Sequence, residues 1–392
     1  MINSYAQQLG SARSCIRELF AYGQTLANEQ GAEAVCDFSL GNPATPPPNG
    51  VQEALAHLIA TEDPMAVHGY TTAEGALATR EVIAASLKQR YGFEVTAKDL
   101  FLTAGAAPAL TAVFAALTID EDTEFVAIAP YFPEYKVFSH VWGACLTVVP
   151  AKEPDFQIDM AALEGCIGPH TQGVIVNSPN NPSGVVYTKE TLEALGEVLT
   201  RLSKTYGHPI YLISDEPYRE LVYDGKEVPF LPSIYPNTVV CYSYSKSLSL
   251  PGDRIGYVLV SPFAWEAEAL RFGVAGAARS IGHVCAPATY QKLVAVCEGE
   301  MPNLAFYDHN RKMLYEGLTA LGYECVYPDG AFYLFVKAPG GDAAAFSRKA
   351  KELGLLVVPC GDFGCPGYIR VAYCVATEVI ERAMPLFEQL VK

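Results

Sequence analysis

Short apolar, β-branched runs alternate with stretches of helical period through the middle of the chain, and that alternation is what most restricts the fold. The runs are Phe125–Ala129, Gly173–Asn177, Ile210–Ser214, Thr238–Tyr244 and Ile255–Val260; between two of them, Lys189–Tyr206 carries apolar residues at helical spacing. Strands buried on both faces read as unbroken apolar runs, and parallel pairing needs crossover segments that are usually helices. The expectation is an α/β protein, with a large domain built on a mostly parallel sheet flanked by helices and a smaller α+β domain.

The flanking segments set the boundaries. Ser11–Glu29 reads as one helix in an N-terminal arm, and the three consecutive prolines within Gly41–Gly50 favour an extended crossing segment. Later, helices are expected at Ala286–Glu298 and Leu304–Ala320, and strands at Gly330–Val336, Leu355–Val358 and Tyr368–Tyr373. The expected division is 1–48 as an arm joining the small domain, 49–285 as the large domain and 286–392 as the small one. Between Asp99 and Asp120 lie twenty uncharged residues, about the length of a membrane-spanning helix. Gly105 and Pro108 interrupt that stretch, so it reads as a strand (Leu100–Thr103), a turn and a buried helix from Pro108.

Half the residues are hydrophobic and 18% are charged, which describes a packed globular chain. The net charge of −16 works against non-specific binding to nucleic acid or to an anionic membrane. The eleven cysteines include no Cys-x-x-Cys pair, and Met1–Phe20, with Arg13, Arg17 and Glu18, lacks the apolar stretch of a secretory leader. Reduced, mostly buried thiols in a cytoplasmic protein are expected, with no metal site, since no histidine pair at ligand spacing accompanies Cys360 and Cys365.

Ligands of open α/β sheets bind beyond the carboxyl ends of the strands. Three polar segments fall there: NSPNNPSG after GVIVN, DEPY after IYLIS, and SYSKSLSLPGDRIG after TVVCY. Each alone has an ordinary reading as a turn, a helix cap or a solvated loop. Together they place Asn181, Asp215 and Lys246 at corresponding strand ends. A lysine amine forms imines with aldehydes, and a buried carboxylate keeps a pyridine nitrogen protonated. Tyr218 is placed to hydrogen-bond a phenolic oxygen, and Ser243, Ser245 and Arg254 to hold a phosphate. The small-residue turn Thr103–Pro108, opening a helix, suits the same anion. Pyridoxal phosphate combines all these features.

The segment SYSKSLSLPGDRIGY resembles the cofactor-lysine signature of class I/II aminotransferases, the aspartate-aminotransferase-like fold type I family. PNNPSG, SDEPY, HGYTTAEG, GAFYLF and YIRVAY are similar to further segments of that family, in family order, so the resemblance runs from Gly41 to Arg370. It implies exchange of an amino group between an L-amino acid and a 2-oxo acid by a ping-pong route, with pyridoxal 5′-phosphate on Lys246. Asp215 would meet the ring nitrogen, Tyr218 and Asn181 the ring oxygen, and Phe132 would stack on the ring, with Tyr131 as its alternative. Ala106, Ala107, Ser243, Ser245 and Arg254 would hold the phosphate, and Tyr70 would reach the phosphate of a neighbouring subunit, implying a homodimer with shared sites. Arg370 would bind the substrate α-carboxylate with Asn181 and the backbone of Gly41.

A β-carbon–sulfur lyase on the same fold remains the alternative, because which bond breaks depends on orientation about Cα. A cofactor-binding transcription regulator is disfavoured by the acidic chain. Ala107 stands where acidic-substrate relatives often carry a lysine, and Cys360 replaces a usual glycine. Aspartate or glutamate as substrate would therefore need another cation, for which Arg279 in GAARSIG is the candidate.

Overall fold

The computed structural model describes residues 2–12 and 14–391; Met1 and Arg13 of the polar N-terminal stretch, and Lys392, lie outside them. Numbered in chain order, the strands of the larger sheet are β1 (Leu100–Thr103), β2 (Glu124–Ile128), β3 (Cys145–Val149), β4 (Thr171–Asn177), β5 (Tyr211–Asp215), β6 (Thr238–Ser243) and β7 (Gly256–Val260). Every residue of β1, β5, β6 and β7 is buried. That is why these strands show no polar alternation in the sequence.

The order across the sheet is β1-β7-β6-β5-β4-β2-β3. Neighbours among β2 to β6 pair in parallel, while β7 runs antiparallel to both β1 and β6. The carboxyl ends of β1, β2, β4, β5 and β6 therefore share one edge. Because β7 is reversed, the residues entering it lie at that same edge. Helices cover both faces. Ala106–Leu117 and Ala267–Ser280 pack with Phe125, Ile213 and Val239 on one side. Lys189–Tyr206 buries Leu192, Leu195, Leu199 and Leu202, one helical stripe, against Val126, Val174 and Leu212 on the other.

A smaller antiparallel sheet follows, of β8 (Cys325–Val326), β9 (Tyr333–Lys337), β10 (Val358–Pro359) and β11 (Tyr368–Ala372), in the order β10-β11-β9-β8. Helices Leu304–Ala320, Ala343–Glu352 and Thr377–Val391 share its core. The arm joins this part: Cys36–Asp37 pairs in parallel with Leu355–Leu356, and Leu19 and Val35 pack with Phe335 and Val358.

Several boundaries differ from the sequence reading. The helix expected at Ser11–Glu29 runs from Cys15 to Gln30, because Ser14 caps it by accepting from the Arg17 N–H, and a separate helix, Ser4–Ser11, precedes it. The helix expected from Pro108 begins at Ala106, and Pro108 sits in its first turn, where no N–H is required. The strand expected at Gly330–Val336 starts at Tyr333, after Ala331 with φ +57°. Leu355–Val358 divides because its two halves pair with different partners, the arm and β11. Strand β3 was not anticipated; it lies at the sheet edge, with only its last residue buried. Helix Ala288–Cys297, past the boundary expected at 285, buries Leu293 and Val294 with Val51, Ile83 and Leu102 of the larger unit. That packing favours a division between Cys297 and Leu304. No helix among the described residues is long and apolar enough to cross a membrane.

Candidate active site

A cavity of about 330 Å³ opens where the strand ends converge. Ala106 and Ala107 reach it from the first turn of the helix after β1, Phe132 from beyond β2, and Asn177 and Asn181 from the end of β4. Asp215 and Tyr218 follow from β5, Ser243, Ser245 and Lys246 from β6, and Arg254 from the residues entering β7. Gly41 of the arm and Arg370 of β11 close the opposite side. Lys246, Arg254 and Arg370 are cationic and Asp215 is the one carboxylate in this lining, so a chain of net charge −16 carries an anion-seeking pocket.

Lys246 sits on a single helical turn, Tyr244–Ser247, too short to persist by its own hydrogen bonds. Side chains pin it. The Tyr244 hydroxyl donates to Glu298 Oε2 at 2.5 Å, and Ser247 Oγ lies 2.9 Å from the Tyr242 hydroxyl, which donates to Glu220 Oε2 at 2.8 Å. Lys246 Nζ donates to the Gly41 carbonyl. Burial, with the positive charges of Arg370 and Arg254, brings the Lys246 ammonium down to about 8. Near neutral pH an appreciable share of the amine is thus free to act as a nucleophile.

Asp215 is 4% exposed. Its Oδ2 accepts from the Tyr135 hydroxyl at 2.5 Å, and Asn177 Nδ2 donates to its backbone carbonyl at 2.8 Å. Its Oδ1 is buried with no hydrogen bond. Burial pushes the carboxyl up to about 7 against the opposing Tyr135 bond. A buried acceptor left open is costly unless something outside the chain donates to it, and a protonated ring nitrogen is such a donor.

Two serines and an arginine form the anion cradle. Ser243 Oγ lies 2.7 Å from Ser245 Oγ, and Arg254 Nη1 reaches Ser245 Oγ at 3.5 Å. Gly105 has φ +92°, and a Cβ there would stand 2.6 Å from Arg254 Nη2. Only glycine allows both that backbone and that approach. The helix Ala106–Leu117 starts at the next residue, so its free N–H groups face the same space.

At the other end, Arg370 is 2% exposed and pairs with no carboxylate among the described residues. Its Nη1 donates to Asn181 Oδ1 at 2.9 Å and its Nη2 to the Ser39 carbonyl, while Nε has no partner. A buried guanidinium with an open donor is suited to a ligand carboxylate. Lined up, these groups offer an amine, an acceptor for a ring N–H and two separate anion sites. They fit pyridoxal 5′-phosphate and an amino-acid carboxylate.

Comparison with known proteins agrees. The family model for aminotransferase class I and II matches residues 33–385. The chain belongs to the class I and II aminotransferases. Enzymes of this class use pyridoxal 5′-phosphate to pass an amino group between amino acids and 2-oxo acids, and this chain is an aminotransferase. It is 30% identical over 373 residues to the aspartate/prephenate aminotransferase of Thermus thermophilus, covering 92% of each chain. A crystal structure of an amino transferase from Eubacterium rectale superposes with a TM-score of 0.97 at 52% identity, covering 100% of this chain and 98% of that one. The Thermus thermophilus aspartate aminotransferase with maleate gives 0.86 at 28% identity, over 100% and 99%.

Not every residue proposed from the sequence of this aminotransferase enters the cavity. Tyr70 is 86% exposed and lines none of it. Arg279 is exposed in the last turn of helix Ala267–Ser280, and likewise stands outside. Phe132 rather than Tyr131 faces the cavity; Tyr131 packs at the Gly364 turn and donates its N–H to the Phe363 carbonyl. Three functional side chains were missed. Asn177 ends the strand GVIVN, Tyr135 completes the aromatic run PYFPEY, and Tyr333 lies within GAFYLF, so each was inside a segment already singled out.

Proposed function

We propose that this cavity is the aminotransferase's active site, with pyridoxal 5′-phosphate held covalently through Lys246 Nζ. The observation that carries the reading is the unpaired, buried Asp215 Oδ1 in a cavity with three cations. When bound, the cofactor supplies an electron sink that lets the substrate Cα lose its proton. Asp215 would hold the ring nitrogen's proton, and Tyr218 and Asn181 would meet the ring oxygen. Phe132 would cover the ring, while Ala106, Ala107, Ser243, Ser245 and Arg254 would hold the phosphate. Arg370, with Asn181 and Gly41, orients the α-carboxylate. Lys246 Nζ would also serve as the base for the substrate Cα proton.

We further propose a homodimer in which Tyr70 serves the neighbouring subunit. Ile59, Met65 and Leu77 in the same stretch are 57–77% exposed, an apolar surface suited to a second copy. The cavity's own cations are committed to phosphate, α-carboxylate and imine formation. Aspartate or glutamate would need a further cation from that second copy, and Arg279 is exposed enough to supply it.

Borohydride reduction of the yellow protein tests the assignment: the cofactor mass is expected on the Lys246 peptide, and a different labelled lysine overturns it. Addition of an amino acid alone should convert the cofactor to pyridoxamine 5′-phosphate. Release of ammonia and a 2-oxo acid without that conversion would mark an eliminating enzyme instead.

A further inference from the structure

Resting on that reading of the cavity, we propose that Tyr333 is a positioning residue coupling the two ends of the site: its ring braces Arg370 and its hydroxyl strengthens the hydrogen bond that Tyr218 gives. Tyr333 opens β9 opposite Ala372 of β11, and Arg370 stands opposite Phe335. Alternate residues of a strand share a face, so Tyr333 and Arg370 are diagonal neighbours on one face of the pair. The Arg370 guanidinium lies 4.5 Å from the Tyr333 ring centroid. With no carboxylate beside it, the buried cation relies on its bonds to Asn181 and the Ser39 carbonyl and on two rings, of which Tyr333 is nearer than Phe363 at 5.5 Å.

The hydroxyl of the same residue lies 2.8 Å from the Tyr218 hydroxyl. Both tyrosines are buried, burial holds Tyr333 up at about 12, and either hydroxyl of the pair can donate to the other; when Tyr218 donates into the cavity, it accepts from Tyr333. A hydroxyl that accepts from Tyr333 becomes a better donor onward, because hydrogen bonds in series polarise one another. Tyr218 then gives a stronger bond to the group it faces in the cavity. The Tyr333 hydroxyl sits against Gly41: a Cβ there would collide with it, and the Gly41 carbonyl accepts from Lys246 Nζ. Gly41 is thus required by Tyr333 on one side and used by the reacting lysine on the other.

Two substitutions separate the two roles. Tyr333→Phe keeps the ring and removes the hydroxyl. With Tyr218 a weaker donor, the proton on the cofactor-linked Lys246 Nζ is held to higher pH. The visible absorption of the loaded protein should then titrate about half a unit to one unit higher, the size of one neutral hydrogen bond. kcat should fall about two- to tenfold, with KM for the fastest amino donor unchanged. Tyr333→Leu removes ring and hydroxyl together, and should add a rise in KM of about threefold or more from the lost support of Arg370.

Thermal unfolding of both variants identifies loss of fold, which would lower the transition temperature without moving the absorption midpoint. An unmoved midpoint and kcat in Tyr333→Phe would overturn the role of the hydroxyl. An unmoved KM in folded Tyr333→Leu would overturn that of the ring. If the wild-type chain forms no visible complex with the cofactor, the reading of the cavity itself fails, which neither variant result can imitate.

Discussion

Asp215 shows what a single residue gives up for its task. Its ordinary carboxyl value is 3.8, and burial raises it to about 7 in the chain without a ligand. The folded state therefore holds a proton that the unfolded chain releases between those two values. Stability of the cofactor-free protein should fall as pH rises through that window, with the whole cost present above about 7. Asp215→Asn removes the charge and keeps the shape. The cofactor-free variant should be more stable than the parent above pH 7, by at most on the order of 4 kcal/mol, and lose that advantage below pH 4. Urea unfolding across pH checks this; an advantage independent of pH would mean that Asp215 is not the group responsible. Sequence pattern showed Asp215, Lys246, Arg254 and Arg370 because each chemistry needs a particular side chain near a strand end. It did not show Tyr135 or Asn177, because their role is to hold Asp215, and a supporting hydrogen bond leaves no pattern of its own.

At the level of elements, the site depends on one reversed strand and one glycine turn. Had β7 run parallel like its neighbours, Arg254 would lie at the far edge of the sheet, away from Ser245. The reversal places the pair 3.5 Å apart, and Gly105 gives the guanidinium its room. Gly105→Ala would force an alanine into φ +92° and push its methyl against Arg254 Nη2. Cofactor affinity should fall about tenfold to a hundredfold, the loss of a charge-assisted hydrogen bond. Absorbance titration of the cofactor-free variant measures it, and unchanged affinity would mean that the phosphate lies elsewhere. The buried strands of the larger sheet were legible within a residue or two because burial on both faces leaves long apolar runs. Edge strand β3 was not, since its partly exposed residues mix with turn residues. The true start of the arm's second helix, at Cys15, rested on one capping serine, a local contest that the apolar period does not register.

For the molecule as a whole, the open question is whether one chain is a complete enzyme, and Tyr70 is where it can be answered. Tyr70, 86% exposed in a stretch that also exposes Ile59, Met65 and Leu77, lines none of its own cavity. Its polar tip and its apolar neighbours gain a function only against another surface. In a two-fold dimer each copy presents the same patch to the other, so Tyr70 of each would enter the site that carries the other's Lys246. Tyr70→Phe weakens a phosphate contact and Lys246→Ala removes the reacting amine, so each pure variant should be poor or inactive. Mixed and re-dimerised, they form hybrids in which one site carries both lesions and the other carries neither. Equal mixing makes half the dimers hybrid with one intact site in two, so activity should return to about a quarter of wild type. The gain must exceed the sum of the separate proteins, and native mass spectrometry must show that subunits have exchanged. Exchange without recovery would place Tyr70 in its own subunit's chemistry or in none. The apolar surface at 59–77 would then need a different partner.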